Sequence, residues 1–153
     1  MVLVSVGTQR QQFTRLFEMV EKSNKLSKKE IIAQAGYTKY ESKKMKIFDF
    51  IDGNQMEELI SSAELVICHA GVGTIFEALL KGKKVIACPR YKKYKEHVND
   101  HQLEICEALE KEGYIITCYD KDNLDDKIDE AFKKELKKYQ RDESYLDILR
   151  KEI

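Results

Sequence analysis

The segment His69-Ala70-Gly71-Val72-Gly73-Thr74 sets a histidine, two glycines and a hydroxyl between two runs of different periodicity. Before it, Leu65-Val66-Ile67-Cys68 reads as a strand; after it, Ile75 to Lys81 has helical spacing. A strand, a small-residue turn and a helix start form the local geometry of an anion site. Glycines let the backbone approach a ligand closely, and the unpaired amides at the positive end of the helix dipole favour phosphate. These residues point to a phosphorylated ligand without naming it, and a tight turn with no ligand is the other reading of the same letters.

Two nucleotide motifs fail when laid on this segment. The dinucleotide fingerprint needs a third glycine where Phe76 stands, and the next strand, Lys84 to Cys88, ends without an acidic residue for a ribose. Gly82-Lys83 looks like the end of a P-loop, but Glu77 occupies the place of its first glycine and Gly82 follows a helix instead of preceding one. Gly82 reads instead as the residue past a helix C-terminus. No Gly-x-Ser-x-Gly elbow supports a hydrolase.

The elements that must position the turn alternate along the chain. Val2 to Val6, Ile31 to Ala35, Met45 to Ile51, Leu65 to Cys68, Val85 to Cys88 and Tyr114 to Cys118 have strand character. Phe13 to Val20, Met56 to Ser61, the segment from Thr74, and His97 to Glu112 have helical spacing. A charged helical segment is expected from about residue 121, with Leu124, Ile128, Phe132, Leu136 and Tyr139 forming one docked face. Strands alternating with helices through short connections predict an α/β fold, a Rossmann-like parallel sheet with helices on both faces. In such sheets ligands bind beyond the carboxyl ends of the strands. Gly7-Thr8-Gln9, Gln34-Ala35-Gly36, Asp52-Gly53-Asn54, the His69 turn and the stretch after Pro89 would then share one crevice.

Composition bounds the partners. The 153 residues suit one domain spanning 1–153, and the 27 basic and 27 acidic residues balance, so charge gives no argument for nucleic acid. No apolar run approaches the roughly 20 residues that span a bilayer, and Met1-Val2-Leu3-Val4-Ser5 does not read as a signal peptide, so a cytoplasmic protein is expected. Cys68, Cys88, Cys106 and Cys118 are isolated in sequence and match neither zinc spacing nor a disulfide framework. They read as buried thiols.

Beyond the single turn, an ordered set of motifs resembles a known family. The set comprises Phe50-Ile51-Asp52, Ala63 to Ile67, His69 to Thr74 with Glu77, Gly82 to Ile86, and Asn99-Asp100-His101-Gln102. Together they resemble the donor-binding, C-terminal half of GT-B glycosyltransferases of family 28. The resemblance is closest to single-domain members: the catalytic subunit of the bipartite dolichol-pathway N-acetylglucosaminyltransferase and the bacterial capsular and exopolysaccharide subunits similar to it. It runs from Gly7-Thr8 to at least Gly113.

The resemblance implies a UDP-sugar donor and a role for each matching residue. Gly71, Val72, Gly73 and Thr74 would meet the diphosphate, and His69 would add a hydrogen bond or partial positive charge, unless it is bonded within the turn. Glu77 would accept the ribose hydroxyls, although Thr74-Ile75-Phe76-Glu77 also reads as a capping box. Phe50 would wall the uracil slot and backbone groups of Ile51 would read the base, with core packing as the alternative for both side chains. Asn99, Asp100, His101 and Gln102 would supply about two sugar contacts, the others capping a helix. Gly7-Thr8 would lie at the interdomain cleft, or form an N-cap turn.

A GT-B enzyme has two such domains, and this chain matches one. The resemblance therefore implies a membrane-anchored partner subunit that supplies the acceptor domain and the general base, with a lipid-linked, polyprenyl diphosphate sugar as acceptor at the inner face of the membrane. No paired acidic motif for a divalent metal is present, so no metal or other cofactor is expected. Tyr91-Lys92-Lys93-Tyr94-Lys95 would face that partner or an anionic lipid, or be a solvated loop. A nucleotide-sugar-binding regulatory module without turnover is the alternative function.

Overall fold

The computed structural model describes residues 1–139. Its strands are β1 Val2–Ser5, β2 Ile31–Gln34, β3 Met45–Phe48, β4 Leu65–His69, β5 Lys84–Cys88 and β6 Ile116–Thr117. Between them run α1 Thr14–Lys22, α2 Gly53–Ser62, α3 Val72–Leu80 and α4 His101–Lys111, with α5 Leu124–Lys133 after β6. The strands form one six-stranded sheet in the order β3-β2-β1-β4-β5-β6, parallel at every pairing. Chain order reverses between β1 and β4, and this switch point is where such sheets open a crevice.

Strand alternation builds two cores. Val2, Val4, Leu65, Ile67, Ile86 and Cys88 point to the face covered by α1 and α5. Their neighbours Leu3, Val66, Cys68, Val85 and Ala87 point to the face covered by α2, α3 and α4. A strand buried on both faces must be apolar at every position, which is why the strands of the sheet centre read as unbroken hydrophobic runs. All four cysteines are buried and free. Among the described residues no helix is long and apolar enough to cross a membrane.

Helix boundaries differ from the sequence expectation at several places, α3 among them, which begins at Val72 and not at Thr74. α2 begins at Gly53 because Asp52 accepts a hydrogen bond from the Gln55 amide at 2.9 Å, a side-chain N-cap. α4 begins at His101, so residues 97–100 are loop. The last helix ends at Lys133, where Lys134 turns extended. Leu136 and Tyr139 therefore lie beyond the helix, Leu136 still packing on the core that α5 covers, and residues 140–153 of the expected segment lie outside the described residues.

After α5 the chain crosses to the other core instead. The Lys137 amide donates to the Gly113 carbonyl at 3.0 Å. Tyr139 is buried with its ring 5.0 Å from Phe76 and 5.1 Å from Tyr114. Aromatic burial of this kind is worth more than its area alone. Phe132, placed on the docked face by its spacing, is 47% exposed. Tyr139→Ala is expected to lower the unfolding free energy by about 2–4 kcal/mol in urea titration, and Phe132→Ala by less than about 1 kcal/mol. The reverse ranking would restore a continuous helix.

Candidate functional site

His69 ends β4 and lies in the switch-point crevice, 6% exposed. Its ring fills a slot whose walls are backbone. A Cβ atom on either Gly7 or Gly71 would overlap the imidazole, and Gly7 also holds a φ of 77°. Both positions thus require glycine, one for conformation and both for space. Burial, then the nearby Arg90 charge, then His97, push the His69 pKa down to about 3. The ring is therefore neutral near pH 7 and offers a hydrogen bond with no positive charge. Nor is it bonded within its own turn, because its Nδ1 meets Gln102 Nε2 of α4 at 3.1 Å.

Immediately after this ring α3 begins. Its N-cap is Gly71, which has no side chain to close the helix, and the first bond runs from the Ile75 amide to the Gly71 carbonyl at 3.3 Å. The amides of Val72, Gly73 and Thr74 precede that bond and have no intrahelical acceptor. The Thr74–Glu77 capping box is not formed, because Thr74 is already the third residue of the helix and no side chain caps it. Glu77 is half-buried and keeps its carboxylate for another partner.

The four polar residues around the start of α4 divide their tasks differently from the sequence expectation. Asn99 Oδ1 accepts from the His101 amide at 3.0 Å, a local turn. Asp100 stands at the N-cap position, but its Oδ1 accepts from the Lys92 amide at 3.0 Å. His101 is exposed. Gln102, assigned to the sugar by the resemblance, is fully buried behind His69 and touches no open surface. The register of α4 gives the reason, since Gln102, Ile105, Cys106 and Leu109 are its buried residues and follow the i, i+3, i+4, i+7 pattern of one face. That spacing was visible in the sequence and is the signal that would have turned Gln102 inward.

Two strands away, Phe50 follows β3 at 54% exposure, so it is not a core residue. Its ring meets Tyr37 edge-on at 5.2 Å and borders a cavity of about 440 Å³ with Gly36, Tyr40 and Asp49. Ile51 is half-buried, and its amide already donates to Gln34 Oε1 at 2.8 Å. Base reading through that amide would require Gln34 to move. Thr8 is exposed in the loop after β1. It is not an N-cap, because α1 starts at Thr14 with Phe13 as its cap residue.

Sequence reasoning missed the groups that hold the crevice rim. Arg90, fully buried, donates from Nη1 to the carbonyls of Gln11 (2.8 Å) and Glu96 (2.9 Å) and from Nη2 to that of Val6 (2.5 Å). Glu96 forms a two-point pair with Arg15 at 3.1 Å for each bond and also accepts from the Tyr91 amide. Gln9 and His97 meet at 3.1 Å and bridge the loops after β1 and β5. The Tyr91–Lys95 loop is tied down, with the Tyr94 hydroxyl 2.7 Å and Lys93 Nζ 2.8 Å from Asp120 Oδ2. Arg90 carries no signal in sequence, because its partners are carbonyls that any residue supplies.

A parallel sheet in this order, with a glycine-walled histidine and an uncapped helix at its switch point, is a Rossmann-like domain of the GT-B glycosyltransferase type. The chain belongs to the glycosyltransferase family 28 C-terminal domain family, whose pattern matches residues 1–150. Over 65 residues it is 40% identical to the UDP-N-acetylglucosamine transferase subunit ALG13 of Homo sapiens, covering 42% of this chain and 5% of that protein. The Saccharomyces cerevisiae protein of the same name is 30% identical over 76 residues, 49% of this chain and 36% of that protein. The matched stretches thus span well under two thirds of either relative. The solution structure of ALG13 has the same fold, with a TM-score of 0.63 at 20% identity over 97% of this chain and 94% of that one.

Because the native His69 refuses a proton that an unfolded histidine accepts near pH 6.5, its contribution to stability is complete above that pH and falls as pH drops toward its folded value. From this group the loss is about 1.4 kcal/mol per pH unit below roughly pH 6. Urea unfolding of wild type and His69→Gln between about pH 7 and about pH 5 should show the steeper decline in the wild type. Parallel slopes would place a charged His69 in the native state.

Proposed function

We propose that this chain is the donor-binding catalytic subunit of a two-component inverting glycosyltransferase that moves a sugar from a UDP-sugar to a lipid-linked acceptor. The observation that carries the reading is the uncapped start of α3 beside a neutral, glycine-walled His69. Amides of Val72, Gly73 and Thr74, with the His69 ring, would take up charge on the departing diphosphate without a metal. Glu77, released from capping duty, accepts the ribose hydroxyls. Phe50 walls the base, the Ile51 backbone contacts it once Gln34 yields, and Asn99, Asp100 and His101 face the sugar.

His69 acts here as a hydrogen-bond donor to the leaving group. A group with a pKa of about 3 is too weak a base to deprotonate a sugar hydroxyl near pH 7. The base and the acceptor surface come from a membrane-anchored partner that closes over the carboxyl-end crevice, aligning donor with acceptor and excluding water. The name shared by the relatives makes UDP-N-acetylglucosamine the first donor to test. The likeness of the motifs to bacterial subunits supports cell-surface polysaccharide synthesis as the setting.

Calorimetry on the isolated chain should give UDP binding tighter than ADP binding. Glu77→Gln should weaken UDP by about tenfold and leave the melting temperature unchanged, since there is no capping bond to lose. Equal affinity for ADP, or a fall in melting with UDP affinity intact, would remove the donor-site reading. Transfer to a lipid-linked acceptor should require co-expression with the membrane subunit. Robust transfer by the purified chain alone would sink the two-component reading, and binding with no transfer by the pair would leave a nucleotide-sugar-binding regulatory module.

A further inference from the structure

We propose that Gln102 is a positioning residue that locks the His69 proton on Nε2, so that the ring always meets the crevice as a donor. The use of that donor toward phosphate rests on the function proposed above, whereas the lock itself does not. A carboxamide has one accepting end and one donating end. The accepting end, Gln102 Oε1, takes the amide protons of Ala70 (3.1 Å) and Arg90 (3.0 Å). Backbone amides have no tautomer, so this fixes which way the side chain points. The donating end, Nε2, then faces His69 Nδ1 at 3.1 Å, and Nδ1 must accept. The ring proton is left on Nε2.

The opposite edge of the ring is the one turned to the crevice. A Cβ on Gly7 would run into Nε2, and one on Gly71 into Cε1. Among the described residues no protein group accepts from Nε2, and Nε2 is not among the fully buried unpaired atoms, so this donor is reachable from the crevice. Imidazolium is disfavoured as well, because a second proton on Nδ1 would confront the Gln102 amide, in a buried site beside the Arg90 charge. Ala70 follows β4 and Arg90 lies just after β5, so the lock is set by the register of the sheet itself.

This gives Gln102 a task the sequence did not suggest. A free histidine exchanges its proton between the two nitrogens, and the Nδ1-protonated tautomer would present an Nε2 lone pair to an anion. Fixing the tautomer removes the repulsive state before ligand arrives. Preorganised donors of this kind cost no reorganisation when charge develops.

The discriminating variant is Gln102→Glu, which keeps an oxygen for the two backbone amides but turns a second oxygen toward Nδ1. Nδ1 must then carry a proton, and Nε2 can donate only if the ring becomes imidazolium. The probe is UDP-N-acetylglucosamine, whose diphosphate diester keeps its charge around neutrality. Arg90 and His97 are the other charged or titratable groups facing the ring, so each protein is also measured in a His97→Gln background. Wild-type affinity should be level between about pH 6 and about pH 8, while the variant should bind about tenfold more weakly at the upper pH and recover toward the lower. In nitrogen-15 spectra of the ligand-free wild type, His69 Nε2 should be the protonated, pyrrole-type nitrogen and Nδ1 the bare one. Protonated Nδ1 in the wild type, or a variant that binds like wild type across the pH range, would overturn the lock. Should Gln102→Glu not fold, the wild-type spectrum alone decides. A spectrum with Nε2 protonated but no binding of the UDP-sugar would uphold the lock and remove the donor-site reading.

Discussion

A positive charge with no carboxylate of its own organises the crevice. Arg90 is buried against the Phe13 ring, 4.9 Å from its centroid, and spends its donors on three main-chain oxygens from two loops, those after β1 and β5. Burial pulls its pKa down to about 10, with Glu96 opposing. A buried cation is tolerable only when its hydrogen-bonding capacity is largely met, and here carbonyl dipoles meet it, leaving only Nε without an acceptor. Because Glu96 is committed to Arg15 and to the Tyr91 amide, the Arg90 charge is not cancelled at close range. One side chain thus fastens the end of β1 to the loop after β5 and adds to the burial that keeps the adjacent histidine neutral.

The architecture was legible because its physics is repetitive. Strands buried on both faces declare themselves as apolar runs, and the glycine turn announces the uncapped start of α3. What stayed hidden were interactions between a side chain and backbone far away in sequence. Arg90 bonding to Val6 and Gln11, Gln34 occupying the Ile51 amide, and Gln102 holding Ala70 and Arg90 all depend on where strands end in space. Helix starts misled for a local reason. Polar clusters such as Asn99 to Gln102 contain several competent caps, and loop hydrogen bonds decided which residue entered the helix.

The donors that line the candidate site are main-chain amides and a neutral ring, all fixed. Rigid donors suit the part of a reaction in which negative charge accumulates at a known place. In the two-component reading proposed above, a base and an acceptor surface would approach from the open side of the crevice, where Thr8, Phe50 and His101 stand exposed.

The crossing of the chain after α5 bears on where this fold stops. The six residues after α5 carry the chain from the layer of α1 and α5 to that of α3, where Tyr139 settles behind the helix that opens at the candidate site. Secondary structure alone would draw the boundary at Lys133. A recombinant version trimmed there would leave the aromatic faces of Phe76 and Tyr114 uncovered, the kind of apolar patch that invites self-association. The folded unit therefore extends past α5, at least as far as this aromatic seat.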